Sequence, residues 1–212
     1  MQKNSVAHNG MMGFLGINIL VLIFEFIGLC KVYGELGNES LIFYTQLSNI
    51  FLLIAVCINI VESIKCLMSG KNSGLPAYAW RVFHAAVSAT TVTFLVVLLV
   101  LSWMYGNLWY VLTAGSMLFT HTLCPLISLG VFIGFAPKVF KGIDAIRAAS
   151  FTFIYGIIAI ILNIMRVITG PYPFLWVYEQ PVWMTIFWVV TIIGGACAIS
   201  RVILIGKTKR ES

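Results

Sequence analysis

"MMGFLGINILVLIFEFIGLC", Met11–Cys30, is a twenty-residue run with one charge, Glu25. About 20 mostly apolar residues are what a helix needs to cross the hydrocarbon core of a bilayer. In lipid, only a helix or a closed barrel satisfies every backbone N–H and C=O. The run is far longer than the roughly ten-residue strands of a membrane barrel. It is also too long for the apolar core of a cleavable signal peptide, and no small-residue cleavage site follows it. A membrane-spanning helix is the expectation.

Five more runs of this kind follow, at about Leu41–Ile64, Val82–Met104, Leu108–Phe135, Ala148–Ile168 and Val182–Ile205. The composition agrees: 60% of the 212 residues are hydrophobic and 9% charged, against about a quarter charged in a soluble domain. The linkers are short, and no repeat relates the first three segments to the last three. The predicted fold is an all-α integral membrane protein, with residues 1–212 forming one six-transmembrane-helix bundle.

Cytoplasmic loops collect Lys and Arg. With the N-terminus inside, the inner side holds Lys3, Lys65, Lys71, Arg81, Lys138, Lys141, Arg147, Arg201, Lys207, Lys209 and Arg210, leaving only Lys31 and Arg166 outside. Both termini are therefore expected in the cytoplasm, and in a bacterial cell the membrane would be the plasma membrane. The +6 net charge then reflects inner loops beside anionic lipid headgroups, not a nucleic-acid site. Trp109, Tyr110, Tyr172 and Trp176 fall where an outer aromatic belt is expected. The five cysteines have no metal-site spacing and read as small apolar fillers. Neither a metal nor an organic cofactor is expected.

Polar residues inside an apolar segment are costly and so are functional candidates. "FYTQLSN", Phe43–Asn49, carries several at the start of the second segment. Thr45, Ser48 and Asn49 stand at i, i+3 and i+4 and share one helical face. Under the orientation above, Glu25, this trio, His121 and the i, i+3 pair Asn163 and Arg166 all point at the outer part of the bundle. A smaller set, Asn59, Glu62 and His84, lies toward the inner boundary, where water can reach Glu62 and His84. Pro125, four residues after His121, cannot donate to the His121 carbonyl, which predicts a kink that opens room beside the imidazole.

A Thr hydroxyl becomes a nucleophile when a base takes its proton, and histidine is the usual base. Thr45 and His121 are the best such pair, with Ser48 a rival nucleophile on the same face. Asn49 lies about 6 Å along the axis from Thr45 and can donate to a developing oxyanion. Glu25 can orient the imidazole or pair with Arg166, and Arg166 can hold a substrate carboxylate or snorkel outward. The bland alternative is that these groups bond their own backbone or a neighbouring helix.

Three motifs also resemble a known family. "FYTQLSN", with its T-x-x-S-N core, is similar to the second helix of the androgen-induced and androgen-dependent TFPI-regulating protein family of intramembrane threonine hydrolases. "HTLCP", His121–Pro125, resembles that family's histidine motif in the fourth helix. "RVITGPYPFLWV", Arg166–Val177, looks like the loop after helix 5 in the bacterial six-pass branch, which often continues "FLDV" where this chain has Trp176 in "FLWV". The resemblance covers about Phe43–Val177. It implies a lipid-ester hydrolase with Thr45 as nucleophile and His121 as its partner, and, from the animal members, fatty-acid esters of hydroxy fatty acids as substrates. The expected partners are membrane lipids and a lipid-ester substrate, with no nucleic acid. A lipid or small-molecule transporter with an outward-facing polar site, using Glu25, His121 and Arg166, is the competing expectation, and a scaffold whose polar groups only join helices is a third.

Overall fold

The computed structural model describes residues 2–69, 74–137 and 140–210, with side chains described for 8–69, 74–137 and 140–206. Of the basic residues that set the orientation, Lys71 and Lys138 lie outside the described residues, as do the side chains of Lys3, Lys207, Lys209 and Arg210.

Every regular element among the described residues is helical: α1 (Gln2–Leu36), α2 (Tyr44–Ser69), α3 (Ala77–Val96), α4 (Ser102–Tyr105), α5 (Leu108–Thr113), α6 (Cys124–Phe135), α7 (Gly142–Ile164) and α8 (Val182–Arg210). Short 3-10 turns at Gly37–Ile42 and Pro173–Leu175, and π turns at Val97–Leu101 and Leu118–Leu123, join or extend them. Six helical stretches are long and apolar enough to cross a membrane: His8–Ile42, Tyr44–Ser69, Ala77–Tyr105, Leu118–Phe135, Gly142–Ile164 and Val182–Gly206.

Several helices end beside a left-handed residue, and others begin or end at an extended one, rather than where apolar character stops. α1 runs beyond Met11–Cys30 at both ends and closes before Gly37, at φ +56°. The third stretch starts at Ala77, five residues before Val82, behind extended Pro76, and closes at Gly106, at φ +64°. α7 starts at Gly142 instead of Ala148 and ends at Ile164, because Arg166 takes the left-handed φ of +58°. α2 starts at Tyr44 instead of Leu41, after extended Phe43. That three-residue difference makes Thr45 a first-turn residue.

The largest departure is in the fourth segment. Leu108–Phe135 is not one helix. α5 ends at Thr113, Ala114 is extended, and Gly115 turns the chain at φ +54°. The helix restarts as the π turn Leu118–Leu123 and continues as α6. The π turn sits where Pro125 denies the His121 carbonyl its usual partner. The expected disturbance is thus a wide turn of helix around His121.

α1, α2, α3 and α6 pack around an apolar core that includes Phe14, Val21, Leu52, Val56, Phe83 and Phe132. Asn59 Nδ2 donates to Asn18 Oδ1 (3.1 Å) between α2 and α1, and the Ser48 and Thr93 hydroxyls meet at 2.8 Å between α2 and α3. α7 and α8 pack on α3, with a second cluster of Tyr44, Val92, Ala159, Tyr172 and Leu175. α1 approaches the π turn closely at Gly28: a Cβ there would lie 2.9 Å from Phe119 Cβ and Thr120 Cγ2.

Successive long helices run in alternate directions and give the bundle two ends. At one end Asp144 accepts from the Lys141 backbone N–H (2.8 Å) and pairs with Arg81 and Arg147, each at 3.3 Å. The other end gathers the Gly37–Ile42 turn, the first turn of α2, α5 and the loop between α7 and α8. His84, expected within reach of water, is 1% exposed: one ring nitrogen meets the Ser200 carbonyl (3.2 Å) and the ring stacks on Phe132.

Candidate active site

A helix leaves its last carbonyls without partners. At the end of α5, side chains of the π turn meet them. His121 Nδ1 lies 2.7 Å from the Val111 carbonyl, and the Thr122 hydroxyl donates to the Leu112 carbonyl at 2.7 Å. A carbonyl oxygen only accepts, so Nδ1 carries the proton in this bond. In the neutral ring, Nε2 then holds the lone pair. The break in the fourth segment therefore fixes the His121 tautomer that a general base requires.

The start of a helix leaves its first N–H groups free in the same way. Thr45, in the first turn of α2, donates its backbone N–H to the Tyr172 hydroxyl (3.4 Å), and its own Oγ1 lies 3.4 Å from the same phenol oxygen. Tyr172, expected in an interfacial belt, is buried, 6% exposed. It stacks on Phe174 and meets Phe43 edge-on. Burial pushes its phenol up from the ordinary tyrosine value, because the charged form loses its hydration.

Thr45, Tyr172 and His121 line one cavity of about 360 Å³. Its other walls include Phe43, Gln46 and Val111, and its rim holds Met104, Tyr105 and Tyr110, which are exposed. No hydrogen bond joins Thr45 to His121 among the described residues. Both residues line the same cavity. Gln46 is 8% exposed, lines this cavity, and its Oε1 has no hydrogen-bond partner. Gln46, Tyr172 and the Val111 carbonyl are the members of the site that sequence reasoning missed. The Gln stood in the quoted motif. The roles of Tyr172 and Val111 depend on where two loops come to rest.

The remaining candidates are distributed elsewhere. Ser48 is fully buried, donates its hydroxyl to the Thr45 carbonyl (2.9 Å), meets the Thr93 hydroxyl at 2.8 Å, and lines neither cavity that Thr45 lines. Asn49 donates to the Thr45 carbonyl (2.7 Å) and the Thr120 carbonyl (3.1 Å). Both amide hydrogens are used, so the expected oxyanion donor is unavailable. The shared face of the trio holds, but only Thr45 opens onto space.

Glu25 is 0% exposed, with the Cys124 thiol beside it, and neither carboxyl oxygen has a hydrogen-bond partner of good geometry. It pairs with neither His121 nor Arg166. Asn163 and Arg166 line a different cavity, of about 310 Å³, with Trp176, Tyr178 and Glu179. There the Arg166 guanidinium lies over the Tyr178 ring, 4.6 Å from its centroid. Trp176 donates its indole N–H to the Gly170 carbonyl (3.0 Å).

The described residues assemble no group of three or more His, Cys, Asp or Glu side chains that would hold a metal ion. Comparison of the chain with protein-family models, with curated proteins and with solved structures finds no match.

Proposed function

We propose that this chain is an integral membrane lipid-ester hydrolase, with Thr45 as nucleophile and His121 as general base. The observation that carries the reading is the cavity shared by the Thr45 hydroxyl and a histidine whose other nitrogen is already committed to Val111. His121 Nε2 takes the Thr45 proton as Oγ1 attacks the ester carbonyl. The Tyr172 O–H, whose oxygen already accepts the first-turn N–H of Thr45, is the donor available beside Thr45 for the oxyanion that forms. Collapse of the tetrahedral intermediate breaks the ester C–O bond. His121 returns the proton to the departing alcohol and leaves an acyl group on Thr45. Water, deprotonated in turn by His121, then releases the acid and restores the hydroxyl. The motif resemblance to the androgen-induced hydrolase family supports the same two residues, and fatty-acid esters of hydroxy fatty acids are the first substrates to try. Asn163 and Arg166 have no direct part in this scheme.

Both termini are assigned to the cytoplasm and the site to the outer half of the bundle, on the Lys and Arg asymmetry of the loops. In a bacterial cell the protein sits in the plasma membrane.

The test uses purified protein in detergent and a hydroxyl-reactive fluorophosphonate. Wild type and Ser48→Ala are expected to label, while folded Thr45→Ala and His121→Ala are expected not to. Well-folded wild type that neither labels nor hydrolyses any of a lipid-ester panel would sink the hydrolase. The second reading, transport or lipid binding, would then lead, because a fully buried carboxyl such as Glu25 is the kind of group that intramembrane proton pathways are built on.

A further inference from the structure

Arg166 lies two residues beyond the spanning stretch Gly142–Ile164, the level at which a membrane helix meets lipid headgroups. Its left-handed φ of +58° turns the chain there. Tyr178 holds the guanidinium over its ring, and the Tyr178 hydroxyl is itself anchored on the Ile164 carbonyl (2.7 Å). The guanidinium is permanently charged, yet it forms no ion pair among the described residues. Asn163, on the same cavity wall, is 3% exposed, and its Nδ2 has no acceptor. Gly170 makes room for that amide, since a Cβ there would stand 2.7 Å from Nδ2. A buried donor left without a partner costs stability, so the wall holds two donors that lack an acceptor. Glu179 brings an exposed carboxylate to the same cavity, and it too has no ion pair among the described residues.

We propose that this cavity binds the headgroup of a zwitterionic phospholipid, a phosphodiester with a primary ammonium as in phosphatidylethanolamine. The phosphodiester oxygens accept from the Arg166 guanidinium and Asn163 Nδ2, and the ammonium pairs with the Glu179 carboxylate. Charge selects the zwitterion. Glu179 repels a simple anion, and Arg166 repels a simple cation. The two share a cavity without pairing with each other, so both signs are on offer. The surroundings select a lipid over a soluble zwitterion. Ile164, Met165 and Val167, and Val182 and Trp183 at the start of α8, are each more than half exposed, which gives acyl tails an apolar surface to lie on. Arg166, Tyr178 and Glu179 are exposed as well, and an open cavity suits a ligand whose tails never enter it. The site shares no wall residue with the Thr45 cavity and does not depend on ester hydrolysis.

The test is native mass spectrometry of the delipidated full-length protein in detergent, titrated with dioleoyl phosphatidylethanolamine or dioleoyl phosphatidylglycerol. Wild type is expected to take up the first phosphatidylethanolamine about tenfold more tightly than phosphatidylglycerol, the scale of one charge-assisted hydrogen bond. Folded Arg166→Gln is expected to lose about tenfold or more in affinity for phosphatidylethanolamine by the same measure. Glu179→Lys supplies a second arm at an exposed position that folding tolerates, and it is expected to invert the preference toward phosphatidylglycerol. Equal uptake of the two lipids by wild type, wild-type affinity in Arg166→Gln, or a preference unmoved by Glu179→Lys would each overturn the site. Glycerophosphoethanolamine, the same headgroup without tails, separates the sources: it is expected not to compete, and displacement of the lipid at equal concentration would overturn the lipid as ligand. None of these readouts uses ester turnover, so failure of the hydrolase leaves the headgroup site standing.

Discussion

Thr45 differs from Ser48 and Asn49 in what its side chain has left to do. Ser48 and Asn49 spend their donors on the Thr45 carbonyl and on neighbouring helices, while the Thr45 hydroxyl meets only a phenol at 3.4 Å. Removal of each neighbour therefore has a different signature. Tyr172→Phe keeps the ring contacts and deletes one donor beside the reacting carbonyl. It is expected to slow fluorophosphonate labelling by about 100-fold, the usual cost of an oxyanion donor, with little loss of fold. Asn49→Leu strips two buried carbonyls of a donor and is expected to cost about 1–3 kcal/mol in denaturant unfolding, while the folded fraction still labels. The phenol also sets a pH dependence. Its folded-state pKa is raised by burial, so the stability it contributes is complete below the free tyrosine value of about 10 and is lost as pH climbs through the folded value. Tyr172→Phe should flatten the alkaline limb of the stability profile; an unchanged limb would argue against a buried, protonated phenol. Sequence spacing put the trio on one face, but which member opens onto a cavity was decided by α2 starting at Tyr44. Three residues of helix end lie within the ordinary uncertainty of reading boundaries from sequence.

The elements that matter most are the irregular ones. The spanning runs were legible because composition and length alone mark them. The break between α5 and α6 was legible only in part: Leu108–Phe135 is longer than a crossing needs, which sets "LWYVLTAG" apart, but the one local signal of where the chain turns is Gly115. Pro125 did announce a disturbance, and it takes the form of a π turn. Pro125→Ala restores an N–H for the His121 carbonyl and lets the turn tighten toward ordinary helix. The expected outcome is a protein at least as stable to heat whose labelling falls, since His121 rotates away from Val111. Labelling at the wild-type rate would show that the wide turn has no part in placing the ring. Gly28 probes the same element from outside. Gly28→Val drives branched carbon into Phe119 and Thr120, 2.9 Å from where its Cβ would stand. Overpacking of this kind costs about 1–3 kcal/mol, and both stability and labelling are expected to drop.

Across the whole molecule, the two ends divide the work. The Asp144 end is braced by ion pairs with Arg81 and Arg147, and the opposite end carries all three cavities that concern Thr45, His121 and Arg166. In a background without the native cysteines, Glu39→Cys is expected to react with a membrane-impermeant maleimide from outside intact cells, and Lys141→Cys only after permeabilisation. The reverse pattern would invert the orientation. The charge asymmetry was readable from the sequence. The separation of Arg166 and Asn163 from the Thr45 cavity was not, because sharing a depth says nothing about which side of a helix bundle two residues occupy.

Thr45 lies at the head of the second long helix, and the phenol that touches it comes 127 residues later in the chain. A ribosome feeding this polypeptide into a membrane delivers Thr45 first, then His121, and Tyr172 only after α7 has been laid down. Until that moment the Thr45 hydroxyl has no phenol beside it, and the wall that α8 gives the space beside Thr45 comes later still. A nascent or truncated chain ending before Tyr172 thus contains Thr45 and His121 and no finished pocket, so any hydrolytic competence under the proposed reading would arrive as one of the last events of biogenesis.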